Sequence, residues 1–514
     1  MLLSKFRCLH EIGSVALFGV LIRWIISTNP YSGKGKPPMF GDFEAQRHWM
    51  EITYNLPVSE WYHNSTANDL SYWGLDYPPL TAYHSWICGF IANRINSSWI
   101  ALSESRGIET ESHKVFMRAT AIIADLLVYI LPICALGYQR RTHHGGFPYI
   151  IRICAEICVL LLAPPQILID HGHFQYNCVS LGLTAWAILF VNDEKDVTAA
   201  VLFSLALNYK HMSLYLALPF FFYLLGRCHQ AGRKAGSTKL VKIGAAVIGT
   251  FILCWWPYLW NFDDATQVVR RLFPFSRGIF EDKVANVWCA LNIIVKLHRF
   301  NTGVLAAVST LATLFGNVFS SLDLFRNPND HKFRYALVNS ALAFFLFSFQ
   351  VHEKGILLPV LPATLLLTDD PIAATWFIIA ATFSMFPLLL KDGLALPTYA
   401  MVTLFLTLSC TLLEWKLPRY GERVSKHGPQ NEEEEQHQYD FACALMTISV
   451  MGFVILSLGC QFAPVYQRLP DLWTLLLSVY SCGHFVLFFI YFHVKQFEAQ
   501  PILHKQRRKT MKAE

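Results

Sequence analysis

Apolar runs long enough to cross a membrane recur from one end of this 514-residue chain to the other. A transmembrane helix needs about 20 predominantly apolar residues. The composition agrees, because 54% of the residues are hydrophobic and only 15% are charged. The first run, SVALFGVLIRWIIS, lacks a small-residue cleavage site after it, so we interpret it as a retained span. The sequence therefore predicts an all-α, polytopic membrane protein.

The positions of Lys and Arg predict which side of the membrane each loop faces, because basic residues favour the cytoplasmic side. With the N-terminus in the cytoplasm, residues 28–115 form a large first loop on the far side. Four spans then fit between the basic segments YQRRTHH and GRCHQAGRKAGSTKLVK, at about 153–169, 174–191, 197–208 and 212–225. Continuing to the C-terminus gives about 14 spans, with both termini in the cytoplasm.

Two further segments are predicted not to cross the membrane. The hydrophilic segment 417–438, which contains the acidic run at 432–435, is expected to be a flexible cytoplasmic loop. Residues 281–298 fit an interfacial helix at the far surface. Together with the basic loop before it, that helix defines a far-side segment at 259–300 within a single membrane unit of residues 1–514.

The loop at 263–283 breaks the charge rule. It places Arg270, Arg271, Arg277 and Lys283 on the non-cytoplasmic side. Cations in that position suggest an anionic ligand. A solvated loop explains them as well, because long loops cross the membrane largely regardless of charge.

The far compartment is predicted to be the lumen of the endoplasmic reticulum. Two glycosylation sequons, at Asn64 and Asn96, lie in the large first loop, where this topology exposes them to the glycosylation machinery. The basic C-terminal tail is of the kind that keeps proteins in the endoplasmic reticulum, and we find no mitochondrial presequence.

Polar residues are concentrated in five segments that face this same compartment. They are GDFEAQRHW, YWGLDYPPLTAYH, DHGHFQYN, NYKHMSLY and FQVHEK. Because the topology was built from cytoplasmic charge alone, their common side independently indicates one shared site at the membrane surface. Ionisable groups in such places favour a functional role.

Common soluble mechanisms are excluded, because the chain has no GxSxG elbow, HExxH, P-loop or dinucleotide motif. His171 and His173 beside Asp170 could be metal ligands. Their neighbours Gln175 and Tyr176 are as easily part of a hydrogen-bonding site for a sugar or phosphate. The 13 cysteines lack zinc-site spacing. We expect no metal and no cofactor.

In this order, the blocks GDFEAQRHW, YWGLDYPPLTAYHS, HGHFQYN, RLFPFSRGIFEDKVANVWC and FQVHEK resemble the endoplasmic-reticulum dolichyl-phosphate-glucose-dependent glucosyltransferases, which finish the lipid-linked N-glycan precursor. The resemblance spans nearly the whole chain except the hydrophilic loop and the tail. It implies a GT-C type glycosyltransferase fold, with luminal surface helices and a catalytic Asp in the first luminal loop. Within the family, the first two blocks are most similar to the member that adds the first glucose.

The resemblance implies an inverting reaction from dolichyl phosphate glucose to an α-1,3 linkage on Man9GlcNAc2. The implied partners are the donor, a dolichyl pyrophosphate-linked oligosaccharide and membrane lipid, without nucleic acid. A single displacement needs one base to take the proton of the attacking hydroxyl. A phosphate leaves as a stable anion, so the second carboxyl group of a glycosidase is not needed.

Asp42 matches the family's catalytic Asp, and we assign it the role of general base. Alternatively, it caps a helix that begins near Phe43. Glu44 either complements the helix dipole or positions the acceptor or Arg47. Asp76 is a second candidate carboxylate, or it stabilises the turn at the following Pro-Pro.

The other candidate residues divide into three groups. Acceptor-binding or supporting candidates are Glu44, Arg47, Asp76, Tyr77 and Trp73. Donor phosphate-binding candidates are His352, Lys354, Arg270, Arg271 and Arg277. Further polar candidates are His171, His173, Gln175 and Lys210. The cations fit the second group because their contacts with phosphate are charge-assisted.

Three alternatives remain open at this point. Two stay within the enzyme class, namely the second-glucose transferase of the same family and a dolichyl-phosphate-mannose mannosyltransferase. The third is a polytopic lipid transporter, which would be expected to show related halves with a site near the bilayer midplane. The sequence contains no internal repeat of that kind.

Overall fold

Helix dominates the computed structural model, which describes residues 2–139, 147–273, 283–413 and 430–499. The α-helices, α1 to α21 in chain order, are Leu2–Ser27, Gly41–Asn55, Pro79–Ile95, Glu111–Ala124, Leu131–Gln139, Phe147–Leu161, Pro164–Ile167, Asn177–Asn192, Asp196–Tyr209, Ala217–Gln230, Arg233–Trp255, Phe262–Leu272, Val287–Leu291, Thr302–Arg326, Asp330–Phe347, Leu357–Leu365, Pro371–Ser384, Phe386–Lys391, Ala395–Leu412, Gln430–Phe462 and Leu472–Glu498. Two π-helices span Asp125–Ile130 and Leu168–Phe174. Short 3-10 helices span Val58–Glu60, Ser97–Ile100, His211–Leu216, Trp256–Tyr258, Leu297–Arg299 and Glu353–Ile356.

The described residues include seven helical segments that are long and apolar enough to cross a membrane. They are His10–Ser27, Glu111–Gln139, Arg233–Tyr258, Thr302–Arg326, Ala395–Leu412, Gln436–Phe462 and Leu472–Glu498. An eighth would be the pair Ile150–Leu161 and Pro164–Phe174, bent by 49°. The prediction of a multi-pass, helical membrane protein is therefore confirmed.

Several predicted spans differ in detail from the helices observed. The span at 153–169 is broken before Pro164-Pro165, because proline cannot donate the backbone hydrogen bond that would continue the helix. The span at 212–225 is a 3-10 turn followed by α10. Helices α8, α9 and α17 are apolar but have only 14 to 16 residues. The count of about 14 crossings stays a prediction.

Two predictions outside the spans differ in their described parts from the helices observed. The single interfacial helix at 281–298 is replaced, in its described part, by the short helices Val287–Leu291 and Leu297–Arg299. The predicted flexible loop at 417–438 lies outside the described residues up to 429, but from Gln430 onward it is the beginning of α20. Glu and Gln are good helix formers, so the acidic run extends the helix instead of interrupting it.

The chain divides into two compact units. Unit 1 contains residues 1–214, 241–276 and 388–401. Unit 2 contains residues 215–240, 277–387 and 402–514. Within unit 2, Gln496 of α21 accepts a hydrogen bond from Asn339 of α15 at 2.9 Å and one from Ser320 of α14 at 2.6 Å. These bonds satisfy polar groups that would be costly inside an apolar helix bundle.

Within unit 1, α2 lies between two apolar clusters. Phe43 and Met50 belong to one cluster, and Trp49 and Ile52 belong to the other. Every residue from Phe43 to Thr53 is consequently buried. Helix α3 packs closely against α2 at Gly89, where a Cβ atom would lie 2.6 Å from the carbonyl oxygen of Met50.

The start of α2 is set by two consecutive residues with left-handed backbone conformation. Phe40 has φ 56° and Gly41 has φ 71°. A Cβ atom on Gly41 would lie 2.6 Å from Oγ of Ser32, so the space also requires glycine. The left-handed turn at Phe40 and Gly41 therefore sets the direction in which Asp42, in the first turn of α2, projects.

Candidate active site

The carboxylate of Asp42 is held by two side chains from the segment around residue 174. Nε2 of His173 lies 3.0 Å from Oδ2 of Asp42, and the side-chain amide of Gln175 donates a hydrogen bond to the same oxygen. The side chain of Asp42 remains 21% exposed. The N-cap position of α2 is occupied by Phe40 and not by Asp42, and the two contacts described for the Asp42 carboxylate come from outside the helix. Sequence blocks that are 131 residues apart thus meet at one carboxylate.

His173 lies between two carboxylates. Its Nδ1 atom is 2.5 Å from Oδ2 of Asp392, which directly follows α18. The side chains of His173 and Asp392 are 2% and 6% exposed. Ser32 also holds the backbones of His173 and Asp42 close together. Its amide donates to the carbonyl oxygen of His173, and its Oγ accepts from the backbone amide of Asp42.

A chain of hydrogen bonds continues from Gln175 to a lysine. The amide of Asn177 donates to Oε1 of Gln175 at 2.9 Å. Nζ of Lys210, a buried residue, donates to Oδ1 of Asn177 at 2.5 Å. The same Nζ lies 4.8 Å from the ring centroid of Tyr77. One cation is therefore connected to Asp42 through two amide side chains.

A small cleft lies next to this chain of hydrogen bonds. It is lined by Gln46, Tyr77, Thr81, Gln175, Tyr176, Tyr209 and Lys210. Tyrosine rings offer flat apolar faces as well as hydroxyl groups, and Lys210 adds positive charge. Such a lining is suited to a sugar or a phosphate.

Glu44 is an internal partner of Arg47. Its carboxylate accepts two hydrogen bonds from Arg47, at 2.8 and 2.6 Å, and a third from Tyr72 at 2.9 Å. Arg47 also lies 2.6 Å from Glu51 and donates to Ser105 at 2.6 Å. Of the alternatives for Glu44, the geometry favours positioning of Arg47.

Glu51 is ionised over a wide pH range in this cluster. Burial alone would raise its pKa, but hydrogen bonding to His48 and the charge of Arg47 outweigh burial and lower the pKa to about 2. The amide of Ser103 also donates to this carboxylate at 2.7 Å. The cluster thus anchors the middle of α2 to the loop that precedes α4.

A second buried ion pair lies among α1, α7 and the two π-helices. Nε of Arg23 is 2.5 Å from Oδ2 of Asp125, and both side chains are fully buried. Nε2 of His171 is 2.7 Å from the same oxygen, and Gln166 donates to it at 3.4 Å. His171 therefore contacts Asp125, whereas His173, two residues later in the chain, contacts Asp42.

Asp170 connects that pair to the site. It accepts hydrogen bonds from Gln166 at 3.2 Å and from the side chain of Asn177 at 2.7 Å. The backbone amides of Asn177 and Cys178 also donate to it, at 3.1 and 2.6 Å. The buried carboxylate therefore orders the turn that presents Gln175.

The block GLDYPP forms the irregular segment before α3. Arg271 of α12 donates to the backbone carbonyl oxygens of Gly74 and Leu75, at 2.7 and 3.1 Å. This differs from the predicted phosphate contact, because the hydrogen bonds described for its guanidinium hold the backbone of this segment. Asp76 is half-buried within it.

Two aromatic candidates brace the same segment. The backbone carbonyl of Trp73 accepts from Trp49 at 2.8 Å, and the indole of Trp73 donates to Met39 at 2.5 Å. The carbonyl of Tyr77 accepts from Tyr62 at 2.7 Å. Of these two candidates, Tyr77 also lines the cleft.

The remaining predicted cations belong to both units. Arg270 is exposed on α12 of unit 1. Arg277 lies outside the described residues. In unit 2, Lys283 pairs with Asp471.

His352 and Lys354 lie in unit 2, at a 3-10 turn. Nδ1 of His352 is 3.0 Å from Glu353, and the amide of Lys354 lies 3.4 Å from the same ring nitrogen. Burial raises the pKa of Glu353, but His352 and Lys354 outweigh it and lower the pKa to about 2. Glu353 therefore remains an anion beside His352.

Both sequon asparagines are exposed. Oδ1 of Asn64 accepts from the amide of Leu70 at 3.1 Å. Oδ1 of Asn96 accepts from the amide and hydroxyl of Ser98 at 3.0 and 2.8 Å. Their use as glycosylation sites stays a prediction.

Sequence reasoning missed several residues of the site. Asp392 lies in KDGLAL between apolar runs, and Arg23 and Asp125 lie inside predicted spans. For Arg23 and Asp125, the available signal was an ionisable residue within an apolar run. In the described ranges, no group of three or more His, Cys, Asp and Glu side chains is placed to hold a metal ion. His171 and His173 instead make the hydrogen bonds given above.

The fold and these five blocks agree with a comparison against protein families. The model of the ALG6, ALG8 glycosyltransferase family matches residues 19–491. The chain therefore belongs to this family of multi-pass GT-C type membrane enzymes. The family resemblance of the sequence blocks is confirmed.

Curated relatives match this chain over most of their length, and those described below have the name of one member of the family. The dolichyl pyrophosphate Man9GlcNAc2 alpha-1,3-glucosyltransferase of Rattus norvegicus is 45% identical over 496 residues, which is 93% of this chain and 95% of that protein. A protein of Dictyostelium discoideum called probable dolichyl pyrophosphate Man9GlcNAc2 alpha-1,3-glucosyltransferase is 43% identical over 502 residues, 95% of each chain. The protein of Arabidopsis thaliana with that same name is 42% identical over 488 residues, 94% of this chain and 89% of its own.

Proposed function

We propose that the protein transfers the first glucose from dolichyl β-D-glucosyl phosphate to the lipid-linked oligosaccharide Man9GlcNAc2, in α-1,3 linkage and with inversion. The names of relatives at 42 to 45% identity support the acceptor and the linkage. The donor and the inversion are what the resemblance to the dolichyl-phosphate-glucose-dependent glucosyltransferases implies. They agree with each other, since a β-linked glucosyl phosphate gives an α product in one displacement.

The observation that best supports this function is the setting of Asp42. A partly exposed carboxylate is fixed by His173 and Gln175, and Gln175 also lines the cleft that contains Lys210. One base held beside a polar, aromatic and cationic cleft is what a single displacement of phosphate requires.

In the proposed reaction, the hydroxyl of the terminal mannose lies within hydrogen-bond reach of Asp42. As its oxygen attacks the anomeric carbon of glucose, the proton passes to Asp42. The bond from that carbon to the phosphate oxygen breaks, and its electron pair leaves with dolichyl phosphate. The products are the α-linked glucosyl oligosaccharide and dolichyl phosphate.

Nearby cations stabilise the negative charge that develops on the leaving phosphate. Lys210 is the candidate supported by its place in the cleft. His352, Lys354, Arg270 and Arg277 remain proposed donor-binding residues. We assign Arg271 instead to fixing the GLDYPP segment, through its bonds to Gly74 and Leu75.

We place the reaction in the lumen of the endoplasmic reticulum, with both termini in the cytoplasm. The support is the distribution of Lys and Arg between loops, together with the two sequons in the first loop. Modification of Asn64 or Asn96 by the luminal machinery, detected as a mobility shift removed by an endoglycosidase, would report this orientation directly.

The activity is tested with purified protein in detergent or liposomes. Dolichyl phosphate glucose and Man9GlcNAc2 lipid should yield one added glucose, and dolichyl phosphate mannose should yield none. An acceptor that already has one glucose distinguishes the second-glucose transferase. Donor movement across liposomes without transfer would indicate a transporter. An arm with a chelator measures any metal requirement.

A further inference from the structure

His173 and Asp392 form a buried pair whose geometry is more specific than packing requires. Both ring nitrogens of His173 face carboxylate oxygens, at 3.0 Å to Asp42 and 2.5 Å to Asp392. An ionised carboxylate can only accept hydrogen bonds. Both nitrogens must therefore donate when the two carboxylates are ionised, which makes His173 an imidazolium.

We propose that Asp392 and His173 are positioning residues for Asp42, with Asp392 fixing the protonated imidazole and the imidazole keeping the Asp42 carboxylate ionised and oriented toward the acceptor. The inference rests on the proposed role of Asp42 as the base. It adds to the site a residue, Asp392, that lies 350 positions after Asp42 in sequence.

The burial of the pair supports this assignment. A carboxylate as buried as Asp392 needs a partner that offsets its loss of hydration. His173 provides that partner and, on its other side, presents a positive charge to Asp42. Charge-assisted hydrogen bonds of this kind are about twice as strong as neutral ones, so the orientation of Asp42 is well defined.

The other charged groups near the π-helix Leu168–Phe174, which contains His173, have partners of their own. The charged and titratable side chains on the elements packed against it include Arg23, Glu44, Arg47, His48, Glu51, Glu111, His113, Lys114, Arg118, Asp125, Asp170 and His171. Arg23 and His171 bind Asp125, and Arg47 binds Glu44 and Glu51. Asp42 and Asp392 are the two carboxylates described in contact with His173.

The test is the pH dependence of glucose transfer by Asp392→Asn and His173→Gln. In the first variant, the introduced amide can still donate to Nδ1 of a neutral imidazole. In the second, the introduced amide can still donate to Asp42, so each variant keeps a hydrogen bond while removing the positive charge. We expect kcat to fall about 10- to 100-fold, a part of what a positioned base contributes. The KM for the acceptor should change less than kcat.

The acid limb of the kcat profile gives the specific readout. Without the neighbouring cation, Asp42 is protonated more easily, so the limb should move to higher pH by about one unit in both variants. Because both changes remove the same interaction, the double variant should show no further shift. Asp392→Glu keeps the charge and should restore part of the rate. Glu104→Gln, an exposed change in the first loop, is the control.

A purely structural pair would give a different result. The variants would then lower the thermal stability and the amount of active protein, with an unmoved acid limb, and this outcome would overturn the inference. The Asp42→Asn variant distinguishes failure of the inference about His173 and Asp392 from failure of the proposed function. If Asp42→Asn is inactive while Asp392→Asn has the wild-type profile, only the pairing fails. If Asp42→Asn stays active, Asp42 is not the general base, and the inference that rests on that role is lost with it.

Discussion

Nε2 of His173 lies 3.0 Å from Oδ2 of Asp42, although 131 residues separate the two in sequence. The contact brings together the first polar block of the chain and the end of a π-helix. It is made possible by the left-handed entry at Phe40 and Gly41, which begins α2 one residue before Asp42. Ser32 links the two parts, because its backbone amide donates to the carbonyl oxygen of His173 and its Oγ accepts from the amide of Asp42.

Gln175→Leu is expected to lower glucose transfer at least about tenfold, because it removes a donor to Asp42 and leaves Asn177 without one of its acceptors. The measurement is kcat with both lipid substrates saturating. Gln139→Leu is the matched control, since Gln139 also donates to an aspartate, Asp193, but at an exposed helix end. Equal activity of the two variants would contradict the role of Gln175.

Gly41→Ala should strongly reduce activity, because a Cβ atom there would lie 2.6 Å from Oγ of Ser32 and disturb the start of α2. Gly35→Ala is the control, since Gly35 also has a positive φ, of 63°, but no atom within 4 Å of its Cβ position. Initial rates should fall for Gly41→Ala much more than for Gly35→Ala. Similar losses in both would show that backbone strain alone, without the contact to Ser32, accounts for the effect.

Glu51 predicts a pH dependence of stability. Its pKa in the folded protein is lowered to about 2, compared with about 4.3 in an unfolded chain. The stabilisation is therefore complete above about pH 5 and is lost as the pH falls toward 2. Glu51→Gln should cost about 3 kcal/mol at pH 7, corresponding to a shift of about two pKa units.

Thermal unfolding of both proteins in detergent from pH 7 to pH 3 checks this prediction. The difference in melting temperature between wild type and Glu51→Gln should shrink toward acid pH, whereas exposed Glu104→Gln should match wild type throughout. A constant difference would mean that Glu51 does not act through its charge.

Removing one partner of the Arg23–Asp125 pair should be costly, because both side chains are fully buried. Arg23→Met or Asp125→Leu is expected to destabilise by about 3–5 kcal/mol, and the double variant by much less. Unfolding in detergent measures the free energies. Arg152→Met is the control, because Arg152 pairs with Glu156 but is 55% exposed; its effect should stay below about 1 kcal/mol. An additive double variant would contradict direct pairing.

The sequence predicted the membrane class and the family, because the length of apolar runs and the order of the blocks can be read directly from it. Gln175 and Asp42 were both identified, but their contact was not, since it depends on a π-helical turn and on packing across the chain. Asp392 could not be found, because a single carboxylate in KDGLAL has no pattern of its own.

Charge alone does not show what a cation contacts. Arg271 was grouped with phosphate ligands because of its loop, yet its guanidinium donates to the carbonyl oxygens of Gly74 and Leu75. Backbone acceptors are invisible in a sequence pattern. The predicted single interfacial helix also differs from the structure at side-chain caps. Oδ1 of Asn286 accepts from the amide of Cys289 and caps the start of the short helix Val287–Leu291, and Oδ1 of Asn292, at the end of that helix, accepts from the amide of Leu297.

The measurement that tests the account most directly is glucose transfer by Asp42→Asn from dolichyl phosphate glucose to the Man9GlcNAc2 lipid. Asn keeps the size of the side chain but cannot accept the proton of the acceptor hydroxyl. We expect folded protein with wild-type melting behaviour and kcat lowered by at least about 10²-fold, while wild type yields one α-1,3-linked glucose. Undiminished transfer by Asp42→Asn, or no transfer by wild type, would contradict the account.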